Sequence, residues 1–131
     1  MRGLIGKKIG MTRVFSSSGQ VIPVTVLEAG PCLVTQVKSI ENDGYESVQV
    51  GYKESKEKHL NKPLMGHFNK NSIKPMRVLA EFKKVPNFEY KPGQVFNVSL
   101  FKEGDYVNVS AKSKGRGFAG TVKKYSFSTQ R

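Results

Sequence analysis

Residues 33–52, LVTQVKSIENDGYESVQVGY, decide the fold. Leu33–Ile40 and Tyr45–Tyr52 are both rich in β-forming residues, and Val48 and Val50 alternate with Gln49 and Gly51. Alternation at period two is the pattern of a strand with one buried face. Between the runs stands Asn42-Asp43-Gly44. Asp-Gly between two β-runs is a strong hairpin signal, because a primed turn needs positive φ at its central residues. The stretch therefore predicts an antiparallel hairpin turning tightly at Asp43–Gly44.

Strand and turn signals continue in both directions. Upstream, Met11–Phe15 and Val21–Leu27 flank the turn cluster Ser16-Ser17-Ser18-Gly19, and Gly30-Pro31 breaks the chain. Pro23 lies inside the second run and has no N–H to give a ladder, which predicts a sheet edge, a strand start or a bulge. Downstream, residues 53–62 (KESKEKHLNK) are polar and read as a surface excursion. Pro63 can open a short helix behind Asn61 as a cap, and Gly66 keeps it short. Val78–Val85 alternates in part, and Pro86 and Pro92-Gly93 bound a loop. Val95–Phe101 alternates cleanly, Lys102–Asp105 is a turn, and Tyr106–Ala111 is a last strand. Six or seven short strands with at most two short helices, and no internal repeat, fit a mainly β chain: a small antiparallel barrel with Greek-key or meander connections. The expected organisation is a β-barrel domain over 1–111, with a polar and helical excursion at about 53–75, and a basic glycine- and aromatic-rich segment over 112–131.

The chain has 131 residues and a mass of 14.6 kDa, which suits one domain. Its single cysteine, Cys32, excludes an intrachain disulfide and a multi-cysteine zinc site, and reads as a small apolar core residue. No apolar run reaches the ~18–20 residues of a membrane helix. Glycines and charges interrupt the apolar residues near the N-terminus, so no signal peptide is expected there. A chain without membrane, metal or cofactor is the expectation.

The net charge is +12 and the pI about 9.9. Residues 1–27 carry four basic side chains (Arg2, Lys7, Lys8, Arg13) and no acid. Residues 106–131 carry six (Lys112, Lys114, Arg116, Lys123, Lys124, Arg131), again with no acid. The middle, 28–105, holds twelve basic and ten acidic residues, so the ends supply +10 of the +12. Solubility alone does not require two acid-free ends, and segregation of this kind is the footprint of a polyanion partner.

Catalysis would need a nucleophile, a base and a means of positioning them. The chain offers His59, His67, Cys32 and scattered carboxylates, with no zinc-protease motif and no Gly-x-Ser-x-Gly elbow. His59 lies in a charged stretch and reads as solvated. His67, in Met65-Gly66-His67-Phe68, reads either as a turn histidine packed on the barrel or as an imidazole reaching phosphate or base.

Lys112-Ser113-Lys114-Gly115-Arg116-Gly117-Phe118 has a stronger physical case. Glycines let backbone approach phosphate and bare its N–H donors; lysines neutralise charge, and arginine forks onto two oxygens. A flexible basic linker has the same composition, but the acid-free surroundings favour phosphate contact. Gly115 and Gly117 thus join the candidate RNA-binding set. Lys7 and Lys8 are adjacent, so on a strand they point to opposite faces. Tyr125 and Phe127 are candidates for stacking on unpaired bases, and Phe118 is expected to anchor the segment to the barrel. The tail ends in Ser-Thr-Gln-Arg without cap or apolar anchor, which suggests that the chain continues or that the tail orders against a partner.

In order and spacing, GLIGKKIGMTRVF, VIPVTVLEAGP, VTQVK followed by NDGY, NKPLMGHF and SKGRGFAGTVKKYSF resemble the bacterial-type large-subunit ribosomal protein three family. The resemblance spans nearly the whole chain. It implies a barrel of the translation-factor type and binding of large-subunit (23S-type) ribosomal RNA and neighbouring ribosomal proteins. It also implies a role in early subunit assembly in the cytoplasm or an organelle, and no enzymatic activity. Family members are longer. Their extension leaves the barrel after a Gly-Phe-x-Gly segment, here Gly117-Phe118-Ala119-Gly120, and reaches toward the peptidyl-transferase centre before returning. Only the start of that extension is present here, and Tyr125 stands where many members have tryptophan. Two other classes compete with this one: a flavin- or nucleotide-binding barrel enzyme, and a barrel that recruits proteins through residues 53–75. Neither explains the charge at both ends.

Overall fold

The computed structural model describes residues 3–86 and 88–129. Arg2 and Arg131 of the candidate set fall outside these residues. The chain is mainly β. Strands β1 (Gly6–Phe15) and β2 (Val21–Ala29) form a two-stranded antiparallel ribbon. Strands β3 (Cys32–Lys38), β4 (Ser47–Glu54), β5 (Met76–Lys83) and β6 (Val95–Phe96) form an antiparallel sheet in the order β5-β4-β3-β6. Among the described residues the two sheets are separate, and the four-stranded sheet is open at both edges.

The hairpin predicted around Asp43–Gly44 forms, with Lys38 opposite Ser47 and Cys32 opposite Tyr52. Its turn differs from the expectation. Ile40–Asp43 winds into a single helical turn, α1, and Gly44 ends it at φ 78° and ψ −4°. The Ser39 N–H donates to the Asp43 carboxylate at 3.3 Å and the Gly44 N–H to the Ile40 carbonyl at 3.0 Å. The glycine signal was thus a helix C-cap, which uses the same left-handed backbone as a primed turn. Among the described residues there are three α-helical segments rather than two, because two of them are single turns too short to leave a periodic trace: α1, and α3 (Thr121–Tyr125). The third, α2 (Lys62–Lys70), begins behind Asn61 with Pro63 in its first turn, as the sequence predicts.

Pro23 sits opposite Arg13 in the ribbon, where each strand is itself an edge and a missing N–H costs the sheet nothing. A bulge between Lys8 and Gly10 shifts the register there. The ribbon's tip is bare: Ile9, Met11 and Phe15 are each about two thirds exposed. Its base is anchored. The Gly30 N–H donates to the Ile5 carbonyl at 3.1 Å, and the Ile5 N–H donates to Cys32 Sγ at 3.4 Å. Burial pushes the Cys32 thiol pKa up, against the smaller opposing effect of its hydrogen bond with Ile5.

Two apolar clusters hold the four-stranded sheet. Cys32, Val34, Val48, Val50, Tyr52 and Tyr90 form the first, with Leu4, Ile5, Val37, Phe82 and Phe96 packed against it. Phe68, Ile73 and Met76 form the second, with Leu33, Leu60 and Leu79 against it, and this one carries α2. Gly51 is a close-approach position, since a Cβ there would lie 2.5 Å from Met76 Cγ.

A network of side chains ties β3, β4 and β5 together at the far end of the sheet. The Glu81 carboxylate accepts from Lys38 at 2.8 Å, from Tyr45 Oη at 2.8 Å and from Ser47 Oγ at 3.1 Å. Lys38 and then Tyr45 hold the Glu81 carboxyl below its ordinary pKa, and Glu81 with Tyr45 raises that of Lys38.

Beyond β6 the structure departs from the expected strands. Val95–Phe101 yields only the two residues of β6, followed by a 3₁₀ turn over Val98–Leu100. Tyr106–Ala111 forms no strand, and Tyr106 is fully exposed. Alternation prepares a face, but a strand also needs a neighbour's carbonyls and N–H groups, and these residues pair with none of the described strands. The turn at Lys102–Asp105 does form, with the Lys102 N–H donating to the Asp105 carboxylate at 2.9 Å. No described helix is long and apolar enough to cross a membrane.

Phe68 is 1 % exposed, so Phe68→Ala is expected to destabilise the domain by about 3–5 kcal/mol, measured by urea unfolding. A second outcome concerns pH. A lowered carboxyl pKa contributes stability above the ordinary value of 4.5, and that stability is lost as pH falls through the lowered value. The raised Lys38 pKa contributes below its ordinary 10.5 and fades only above that. Glu81→Gln should therefore lower stability near neutral pH and flatten the acid limb of the stability curve, with melting temperature followed from about pH 7 to about pH 3.

Candidate nucleic-acid interface

The structure sorts the charges before any partner is considered. Five of the ten acidic residues are in ion pairs: Glu81 with Lys38, Glu28 with Lys53, Glu54 with Lys74, Glu46 with Lys84 and Glu89 with Lys91, at 2.8 to 3.6 Å. Every one of these lysines belongs to the middle of the chain. Among the described residues none of the basic side chains at the two ends is paired with an acid, so their charge faces solvent.

On the ribbon, Lys7 stands opposite Glu28 and Lys8 opposite Leu27, which puts the two lysines on opposite faces as their adjacency predicts. The acid opposite Lys7 is held by Lys53 at 3.2 Å. Arg13, opposite Pro23, lies near the ribbon's exposed tip.

From Tyr106 to Gly120 the chain is irregular, and all of it except Ala119 is exposed. Ser113, Lys114, Gly115 and Arg116 form an open, solvent-facing stretch. Gly117 has φ 68°, a left-handed backbone that glycine adopts without strain. Lys112 lies just before this loop. In α3 the Lys124 N–H closes the turn onto the Gly120 carbonyl at 3.0 Å, and Lys123 and Lys124 occupy its last turn. Lys124 Nζ lies 5.1 Å from the Tyr125 ring centroid, and Tyr125 meets Phe127 edge-on with centroids 6.2 Å apart. The two rings are about 60 % exposed. Phe118 does not anchor the segment as expected. It is fully exposed, on a loop that is exposed at every residue from Tyr106 to Gly120 except Ala119.

His67 is turned toward the sheet. Its Nε2 donates to Gln49 Oε1 at 2.8 Å, the same oxygen that accepts from Thr35 Oγ1 at 2.9 Å. Its ring packs edge-on against Phe68. The histidine thus helps seat α2, and its position is that of the packed alternative.

Charge counting over the whole middle region also hides something. Residues 53–75 hold six lysines against two glutamates. Lys53 and Lys74 are paired, while Lys56, Lys58, Lys62 and Lys70 are exposed and outside any ion pair among the described residues. A window shorter than the whole middle would have found this surplus.

No family model matches the chain. Curated relatives do. The chain is 52 % identical over 128 residues to "Large ribosomal subunit protein uL3" of Thermotoga maritima, covering 98 % of this chain and 60 % of the relative. The protein of the same name from Carboxydothermus hydrogenoformans is 50 % identical over 127 residues, covering 96 % of this chain and 60 % of the relative. The chain therefore spans about three fifths of the length of the relatives it matches, and the match lies in their N-terminal part. Identity of this level, running through the same ordered motifs that carry the resemblance, places the chain in the uL3 family of large ribosomal subunit proteins.

Proposed function

We propose that this chain is a ribosomal RNA-binding structural constituent of the large subunit, with no catalytic activity of its own. The observation that carries this reading is the segment 106–129, which is almost wholly exposed, has five basic residues and has no acid. Among the described residues none of its lysines or arginines is in an ion pair, and phosphate is the abundant anion of a ribosome. Lys112, Lys114 and Arg116 act on backbone phosphates along the exposed stretch 112–116. Gly115 and Gly117 allow close approach, and Lys123 and Lys124 extend the contact. Tyr125 and Phe127 supply exposed rings for unpaired bases, in keeping with the way folded RNA is recognised through shape, 2′-hydroxyls and splayed bases. Lys7, Lys8 and Arg13 give the ribbon a second basic surface.

The relatives' name supports the large subunit as the setting. The partners in this reading are 23S-type ribosomal RNA and neighbouring ribosomal proteins, and the role is early subunit assembly and support of the peptidyl-transferase region. The translation-factor type of barrel belongs to the same proposal. The ribbon and the four-stranded sheet are its parts, Val95–Phe101 and Tyr106–Ala111 carry the alternation of further strands, and the basic segment starts at 112.

Neutralising about six phosphates gives a slope of log K against log salt near −4 to −5. Filter binding of the 131-residue chain to a 23S ribosomal RNA transcript across a salt series measures it. Replacing Lys114 and Arg116 together by alanine should reduce the slope by roughly 1.5 to 2 and leave the melting temperature unchanged, since both side chains are exposed. A slope near zero for the parent chain, or unfolding of the double variant, would overturn the reading.

A further inference from the structure

Gly66 is a glycine that the fold does not need. It is the fifth of nine residues in α2, it has no positive φ, and a Cβ built on it meets nothing within 4 Å. It neither caps the helix nor lets another element of this chain come close. Glycine inside a helix is nevertheless destabilising relative to alanine. Flexibility does not account for it either, because α2 is fastened to the sheet around this position. Phe68 is buried, His67 donates to Gln49, and Asn71 Nδ2 just beyond the helix donates to the Thr35 carbonyl at 2.7 Å.

The face opposite those contacts follows from the helical period. With 100° per residue, Lys62, Gly66 and Lys70 fall on one stripe, away from Leu64 and Phe68. All three stripe residues are exposed, and neither lysine is in an ion pair among the described residues. The lysines stand about 12 Å apart along the axis with bare backbone between them. A protein partner of acidic character would be served as well by alanine at 66, with a methyl group to pack on. A phosphodiester chain gains from its absence, because two cations can straddle the strand while the strand lies directly on the helix.

We propose that the outward face of α2, Lys62-x3-Gly66-x3-Lys70, is a second RNA-backbone contact, separate from the 106–129 segment, on which a phosphodiester strand packs against the helix at Gly66. This rests on the ribosomal RNA reading above and adds a surface to it.

The test separates stability from binding, because the two should move in opposite directions. Gly66→Ala should raise the melting temperature by about 3–6 °C, as removal of a helix glycine does. It should also weaken binding of the 131-residue chain to a 23S ribosomal RNA transcript at least fivefold. Lys62→Ala with Lys70→Ala should weaken binding and lower the salt slope by roughly 1.5 to 2. If Gly66→Ala and the lysine pair bind as the parent does while Lys114→Ala with Arg116→Ala loses affinity, the α2 face is no RNA contact and serves a protein partner or none. That result leaves the general reading standing. If the parent chain itself shows no salt-dependent binding, both fall together.

Discussion

The pairing of β3 with β4 is the constraint on which the rest of the molecule depends. Cys32, Val34, Val48 and Val50 are all at 0 % exposure, and they come from these two strands alone. One side of the pair takes the N-terminal residues Leu4 and Ile5, with Tyr90, as cover; the other takes α2 through Phe68, with Ile73 just beyond the helix. The ribbon is anchored through Ile5 to Cys32, and β5 through the ladder to β4. Loss of this pair would release both clusters at once. Elements without a contact to it, such as the ribbon tip and residues 106–129, are the exposed ones.

Charge follows the same division. Where the chain is packed on the central pair, lysine and glutamate meet across neighbouring elements: Lys38 with Glu81, Lys53 with Glu28, Lys84 with Glu46. These pairs are partly exposed, so they contribute little each to stability. Their consequence is electrostatic, since five of the ten acids each meet a lysine of the same middle region. What remains positive is the ribbon, the excursion around α2 and the C-terminal segment.

Much of this was legible in the chain. Val48–Val50 and the Leu33 run announced the hairpin, Pro63 and Asn61 the start of α2, and Pro23 an edge strand. The motifs carried the family. Residues whose role depends on a distant neighbour were misread. Tyr106–Ala111 alternates as a strand should, yet lies unpaired. Phe118 has an anchor's composition and is bare. His67 left two readings open, and its contact with the Gln49 oxygen that Thr35 also uses is the packed one. Lys62 and Lys70 went unnoticed inside a nearly neutral region, because net charge over a long window cannot register which acids are already engaged.

The sequence by itself determined local matters: which stretches favour extended backbone, where φ must be positive at Gly44, where a helix can begin, and how charge is distributed along the chain. These follow from each residue's own sterics and its nearest neighbours. Only the tertiary structure decided which strands find partners, which lysines are silenced by a carboxylate, and which face of α2 is left outward with Gly66 at its centre. Those outcomes depend on contacts between residues such as His67 and Gln49, or Lys38 and Glu81, whose separation along the chain carries no signal that they will meet.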